Sequence, residues 1–301
     1  MGLAGFKQQF VEVDGVKISV HVGGNGPPLL MLHGFPQNHM TWEKVAPALA
    51  AHRTCVVADL RGYGDSDAPE SPDGALYAKR IMAAEMVGVM AALGFDRFDL
   101  LGHDRGARVS YRLALYFPDV VTRLGIIEIV PTVAMWDSFN ADMALAAYHW
   151  THLAQPYPLP ETMIGADPQM YVDHKLRAWT LDKSLSCFSD AALASYRAQM
   201  ADPVRVHAMC ADYRAGATVD RAIDQADLKA GRKIACPVQF VYAEAGFPAR
   251  SGDPLGYWRQ WADDLSGVAI ESGHFAMEEN PDAVLAAMGP FLQIKVLIIS
   301  F

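Results

Sequence analysis

The chain has 301 residues, 51% of them hydrophobic, enough to bury a sizeable core as one large domain or as a core with an insertion. With 34 acidic and 25 basic residues its net charge is −9, which argues against nucleic acid as a partner and means that an anionic ligand would have to be drawn by a local basic cluster. No purely apolar run reaches membrane-spanning length, so no membrane association is expected.

In chain order, Phe10–Val13 and Val16–Val22 alternate apolar with polar around Asp14-Gly15, the pattern of a β-hairpin. Pro28–Leu32 reads as a strand buried on both faces and runs into His33-Gly34-Phe35-Pro36. A helix is predicted from about Trp42 to Ala51. Thr54–Ala58 is a second buried strand, ending at Asp59-Leu60-Arg61-Gly62-Tyr63-Gly64. A long amphipathic helix covers about Tyr77 to Leu93. The apolar run Phe98–Leu101 then enters Gly102-His103-Asp104-Arg105-Gly106, and a helix-compatible run, Val109–Ala114, leaves it. A strand follows at Leu124–Val130. Such alternation implies a largely parallel sheet with helices on both faces, an α/β fold. From about Thr132 to Asp227 the pattern turns helical and aromatic-rich, too long for a loop and therefore a folded insertion. The sheet resumes with Val238–Tyr242, a helix near Tyr257–Asp264, a short strand at Val268–Ile270, and Ser272-Gly273-His274-Phe275. A last helix runs from Pro281 to about Leu292, with Asp282 placed to cap it. The expected division is a core over 1–131 and 228–293, an insertion over 132–227, and an apolar tail over 294–301 that is too short to span a bilayer and has no assigned role.

Gly102-His103-Asp104-Arg105-Gly106 has the form of a nucleophile elbow, a strained strand-to-helix turn, with aspartate where serine is usual. An ionised aspartate needs no base to attack, and its natural target is a saturated carbon bearing a leaving group. The resulting ester must then be hydrolysed by an activated water. His274, in a late Gly-His turn after a strand, is the candidate base. Glu128, near the end of the strand after the elbow helix, is the candidate acid that orients it; Asp253, in the loop after Val238–Tyr242, is the rival. The backbone N–H groups of Phe35 and Arg105 are the expected oxyanion donors. Arg105 and Arg108 share one face of the first helical turn, suited to a planar carboxylate, and their charge would keep Asp104 ionised. Taken one at a time, these residues are equally what a capped strand end, a salt bridge and two solvated arginines would look like. Their joint occurrence in this order supports catalysis.

These stretches resemble the α/β-hydrolase fold and, within it, the fluoroacetate (haloacetate) dehalogenases. The matching segments also include Tyr148-His149-Trp150 and Cys210–Gly216, so the resemblance spans most of the chain up to the tail. It implies a mostly parallel eight-stranded sheet flanked by helices, with a helical cap inserted after the sixth strand. It also implies Asp104 as nucleophile, His274 as base, Arg105 and Arg108 as a clamp on the substrate carboxylate, and His149, Trp150 and Tyr213 as donors to the departing halide. No cofactor and no metal are expected, and a homodimer is the family expectation. The partner would be a small haloacid. One departure is the acid: the family's usual aspartate is Glu128 here, which predicts slower water activation and an accumulating ester. An epoxide hydrolase would use the same ester chemistry but usually carries tryptophan where Arg105 stands. A haloalkane dehalogenase is disfavoured because buried arginines would be costly beside a neutral substrate. A non-catalytic ligand receptor is disfavoured by the presence of all three triad members. The Met1–Lys7 stretch lacks the pattern of a secretory signal, and Cys55, Cys187, Cys210 and Cys236 show no CxxC or metal-ligand spacing, so reduced thiols and a cytoplasmic location are expected.

Overall fold

Asp14 (φ 50°) and Gly15 (φ 77°) reverse the chain between β1 (Lys7–Val13) and β2 (Val16–Gly23), the positive-φ pair that matches the twist of a two-residue hairpin. The computed structural model describes residues 2–294; residues 295–301, most of the apolar tail, lie outside them. The other strands are β3 (Pro28–Leu32), β4 (Thr54–Ala58), β5 (Phe98–His103), β6 (Val121–Ile127), β7 (Val238–Ala243) and β8 (Leu265–Ile270). Among the described residues the eight form one sheet in the order β1-β2-β4-β3-β5-β6-β7-β8, antiparallel at β1, β2 and the β2–β4 pairing and parallel from β4 to β8. Every residue of β5 is buried, and Leu29–Leu32 of β3 are wholly inaccessible, as continuous apolar strands covered on both faces should be.

Between the early strands run α1 (Ala46–Ala50), α2 (Lys79–Ala92) and α3 (Asp104–Tyr116). The helix expected over Trp42–Ala51 is thus halved. Pro47 sits in the first turn of α1, because in a helix begun at Trp42 its ring would clash with an earlier carbonyl. A separate 3-10 turn, His39–Trp42, takes the preceding residues. Strand β6 ends at Ile127, three residues short of the expected end at Val130, which places Glu128 just beyond the sheet in a left-handed conformation (φ 58°).

Between β6 and β7 the chain is helical: α4 (Thr132–Asp137), α5 (Ala141–Ala146), α6 (Tyr148–Leu153), α7 (Leu159–Ala166), α8 (Pro168–Trp179), α9 (Asp190–Ala201), α10 (Pro203–Ala217) and α11 (Val219–Lys229). Helix α11 continues two residues past the expected limit at Asp227. After β7 come α12 (Phe247–Arg250) and α13 (Pro254–Arg259), then, after β8, α14 (Ala276–Glu279) and α15 (Pro281–Phe291). Helix α13 lies earlier than the predicted Tyr257–Asp264, because Asp253 caps it and Pro254 opens its first turn. The cap of α15 is also not the expected one: the Asn280 side chain, not Asp282, accepts from Ala283 N–H.

Candidate active site

The turn from β5 into α3 holds Asp104 at φ 45°, a strained conformation for a residue with a side chain. The strain persists because the neighbours leave no alternative. A Cβ on Gly106 would meet the carbonyls of Leu32 and His33, and one on Gly34 would meet the Asp104 side chain itself. The carboxylate is therefore fixed. Its Oδ1 accepts from Phe35 N–H at 2.8 Å, and its Oδ2 lies 3.8 Å from His274 Nε2. Arg105 N–H belongs to the first turn of α3, where backbone donors have no helical acceptor. Burial opposes ionisation of Asp104, but His274, with Arg105 and Arg108, outweighs it and holds the carboxyl below its ordinary range.

His274 is brought to Asp104 by two backbone contacts. His103 Nε2 bonds the His274 carbonyl at 2.8 Å, and His274 N–H donates to the carbonyl of Trp179. His103, pushed down to about 3 chiefly by burial, is neutral and serves this contact. Its role was not read from the sequence, although it stands inside the elbow motif. On the far side of the ring, Glu128 Oε1 is 4.0 Å from His274 Nδ1, within ion-pair reach but longer than a hydrogen bond. Glu128 is itself anchored by the N–H groups of Ala243 (2.6 Å) and Phe247 (3.2 Å). Burial raises the Glu128 carboxyl, and burial lowers His274 by less than the carboxylates of Glu128 and Asp104 raise it. Asp253, the rival acid, is exposed and spent on Gly256 N–H as the cap of α13.

Arg105 and Arg108 are both buried on the first turns of α3, but they are not equivalent. Arg105 Nε and Nη2 are engaged by the Asp212 carboxylate, each at 2.8 Å, leaving Nη1 without a protein partner. Asp212 also takes Tyr63 Oη and Lys79 Nζ. Burial works against the Arg105 charge, and Asp212 more than offsets it. Arg108 donates through Nη1 to Val130 O and Thr132 Oγ1, keeps Nε unpartnered, and is the one of the two on the cavity wall. The clamp expected from spacing is thus a tethered Arg105 behind an open Arg108. Asp212 was missed in the sequence because its partner is 107 residues away.

The helices after β6 bring the three aromatic candidates together. Tyr213 on α10 packs against Phe35, His149 and Trp150 with ring centroids 5.3, 5.6 and 5.7 Å apart. Arg105 Cζ lies 4.2 Å from the Tyr213 ring centroid, and Arg108 Cζ 4.5 Å from that of Trp150. His149 Nδ1 is buried without a partner, and burial first, then nearby cations, keep its pKa well below the ordinary value, so its imidazole is neutral. A cavity of about 440 Å³ joins Asp104, Arg108, Glu128, His149, Trp150 and His274 and is also lined by residues of α5, α8 and α12. Tyr213 and Arg105 are buried next to it, Tyr213 against the rings of His149 and Trp150 and Arg105 with its Cζ 5.5 Å from the Trp150 ring centroid. A separate group, His21, His39 and Asp59, sets three donor atoms within 4.8 Å of one another, off that wall. There Asp59 already accepts from His39 Nδ1 and from the backbone of His39 and Asp65, and the two imidazoles are stacked at 4.0 Å.

Residues 27–281 match the family described as alpha/beta hydrolase fold. The chain is 41% identical to a fluoroacetate dehalogenase from Burkholderia sp., over 96% of this chain and 94% of that one. It is 31% identical to a soluble epoxide hydrolase from Corynebacterium sp. (strain C12), over 91% and 92%. Among solved structures, a variant of a proposed epoxide hydrolase from Pseudomonas aeruginosa with bound MFA superimposes with a TM-score of 0.91 at 45% identity, covering 97% of each chain.

Proposed function

The chain belongs to the α/β-hydrolase fold family, and from that premise we propose that it is a hydrolytic dehalogenase of small 2-haloacids, fluoroacetate and chloroacetate among them. The observation that carries the reading is the buried guanidinium of Arg108 on the cavity wall that also bears Asp104. A buried cation beside the nucleophile favours a substrate that brings its own negative charge and disfavours a neutral epoxide. The similarity to a fluoroacetate dehalogenase supports the same choice.

Asp104 Oδ2, the oxygen not held by Phe35, attacks the carbon bearing the halogen. The carbon–halogen bond breaks, halide leaves, and an aspartyl ester forms. Arg108, with the free Nη1 of Arg105 behind it, holds the substrate carboxylate and sets the attack angle. His149, Trp150 and Tyr213 donate to the departing halide; fluoride leaves reluctantly, and roughly 2–4 kcal/mol per well-placed donor is what the step requires. His274, oriented by Glu128, then takes a proton from water. The hydroxide adds to the ester carbonyl, whose oxyanion forms at Oδ1 against the N–H groups of Phe35 and Arg105. Collapse releases the hydroxy acid and restores Asp104, and His274 returns its proton to solvent. The helices over 132–227 act in this scheme as a cap that excludes bulk water.

The test is halide release from fluoroacetate and chloroacetate, set against diol formation from a styrene-type epoxide. Halide release that disappears in Asp104→Asn is the expected result. Diol formation without halide release would establish the epoxide hydrolase reading in its place.

A further inference from the structure

Lys175 is a buried amine that the proposed reaction does not use. It sits on α8 with 1% of its surface exposed, its Nζ 3.3 Å from the ring centroid of Tyr148 and 5.5 Å from those of Tyr171 and Trp179. No carboxylate among the described residues pairs with it, and burial, with no acidic neighbour to oppose it, lowers its pKa to about 7. An ammonium taken out of water without a counter-charge is destabilised, and aromatic faces offset only part of that cost. Yet Lys175 is on the wall of the cavity that holds Asp104 and Arg108, close enough to depress the neighbouring His149 imidazole. An anion entering that cavity would supply the missing charge. Size points the same way: about 440 Å³ is in the range that holds drug-sized ligands, far more than a two-carbon haloacid fills.

We propose that Lys175, inside its collar of Tyr148, Tyr171 and Trp179, is a second carboxylate subsite, so that this cavity prefers 2-halo acids carrying a second carboxylate over uncharged analogues of the same length. The inference rests on the dehalogenase reading and adds no chemical step to it. The α-carboxylate stays on Arg108, the halogen-bearing carbon faces Asp104, and the distal carboxylate pairs with Lys175.

Halide release is to be compared for 2-chlorosuccinate, 2-chlorobutanoate and chloroacetate. The expected result is a kcat/KM at least tenfold higher for 2-chlorosuccinate than for 2-chlorobutanoate, a ratio that collapses about tenfold in Lys175→Gln and survives in Lys175→Arg. In parallel, titration calorimetry on the unaltered protein should find succinate binding at least tenfold more tightly than butyrate, a readout that needs no variant to fold and no turnover. Equal handling of the two four-carbon substrates, or equal binding of succinate and butyrate, would overturn the subsite. A preference that survives Lys175→Gln would overturn the assignment to Lys175. Failure of every haloacid, chloroacetate included, while succinate still binds selectively would remove the dehalogenase reading and leave the anion subsite standing.

Discussion

Glu128 reaches His274 from an unusual starting point, a left-handed backbone just beyond β6, and its carboxylate occupies the volume that a side chain at Gly246 would need. Gly246 has ordinary negative φ, so what excludes a Cβ there is crowding, first by the Glu128 carboxylate and then by the Cβ of Ala243 at 2.9 Å. Gly246→Ala should therefore push Glu128 off the N–H groups of Ala243 and Phe247, at about 1–3 kcal/mol in stability. The same substitution in a Glu128→Asp background, with one methylene fewer, should cost markedly less, the contact with the Ala243 Cβ being what remains. Thermal midpoints of the four proteins measure the coupling, and strictly additive shifts would show that the two residues do not compete for space. The 4.0 Å gap between Glu128 and His274 bears on the second half-reaction. His274 must be neutral to activate water, and its pKa in the free protein is held above the ordinary 6.5. Ester formation removes the Asp104 charge, so Glu128 becomes the main carboxylate sustaining that shift. Ester hydrolysis should accordingly rise with pH through the His274 pKa, and Glu128→Gln should move the midpoint down. Stopped-flow halide release over pH 5–9 checks both points: a burst matching enzyme concentration at low pH, fading as pH rises, is expected, and a linear trace at every pH would exclude a slow hydrolysis step.

At the scale of elements, what was legible in the sequence was local. The hairpin at Asp14-Gly15 and the elbow at Gly102–Gly106 are written in adjacent residues whose φ requirements or close approaches admit few substitutes. The buried strands announce themselves as apolar runs. What could not be read was the pairing across distance. Nothing near Arg105 or Arg112 in the chain shows that these two residues of α3 meet Asp212 on α10 and Asp224 and Asp227 on α11, or that Lys79 of α2 joins the first of these. Spacing alone could put Arg105 and Arg108 on one face; only the fold shows that Asp212 holds one of them back. These ion pairs fasten the helices after β6 to the core. Asp212→Asn leaves the buried Arg105 without its counter-charge and Lys79 with only Asp220 at 3.9 Å, and should cost about 3–5 kcal/mol. Asp253→Asn, at an exposed cap where asparagine serves equally well, should cost a few tenths at most. Denaturant unfolding of the two variants side by side provides the measurement, and similar losses would mean that the Asp212 network contributes little to holding α10 in place.

Over the whole molecule, the parallel order of β3, β5, β6 and β7 delivers Phe35, Asp104, Glu128 and Gly246 to the carboxyl edge of one sheet, where open α/β sheets gather their sites. The helices after β6 close that edge into a cavity. The charge distribution is organised about the same place. A chain of net charge −9 repels anions at long range, but the cavity wall carries Arg108, Lys175, Lys183 and Arg250 against Asp104 and Glu128. This is the local basic cluster that an acidic protein needs if it is to take up an anion. Arg250, exposed on α12 at the cavity mouth, contributes to that field without a place in the chemistry. Arg250→Glu should raise KM for chloroacetate several-fold and leave kcat nearly unchanged, because a rim charge acts on encounter rather than on the reacting atoms. The effect should shrink in 0.5 M salt, where screening shortens the reach of exposed charges to under ~10 Å. Initial-rate kinetics at low and high ionic strength measure it. A KM that the charge reversal does not move would show that substrate is captured only once it reaches the buried cations, with no contribution from the mouth.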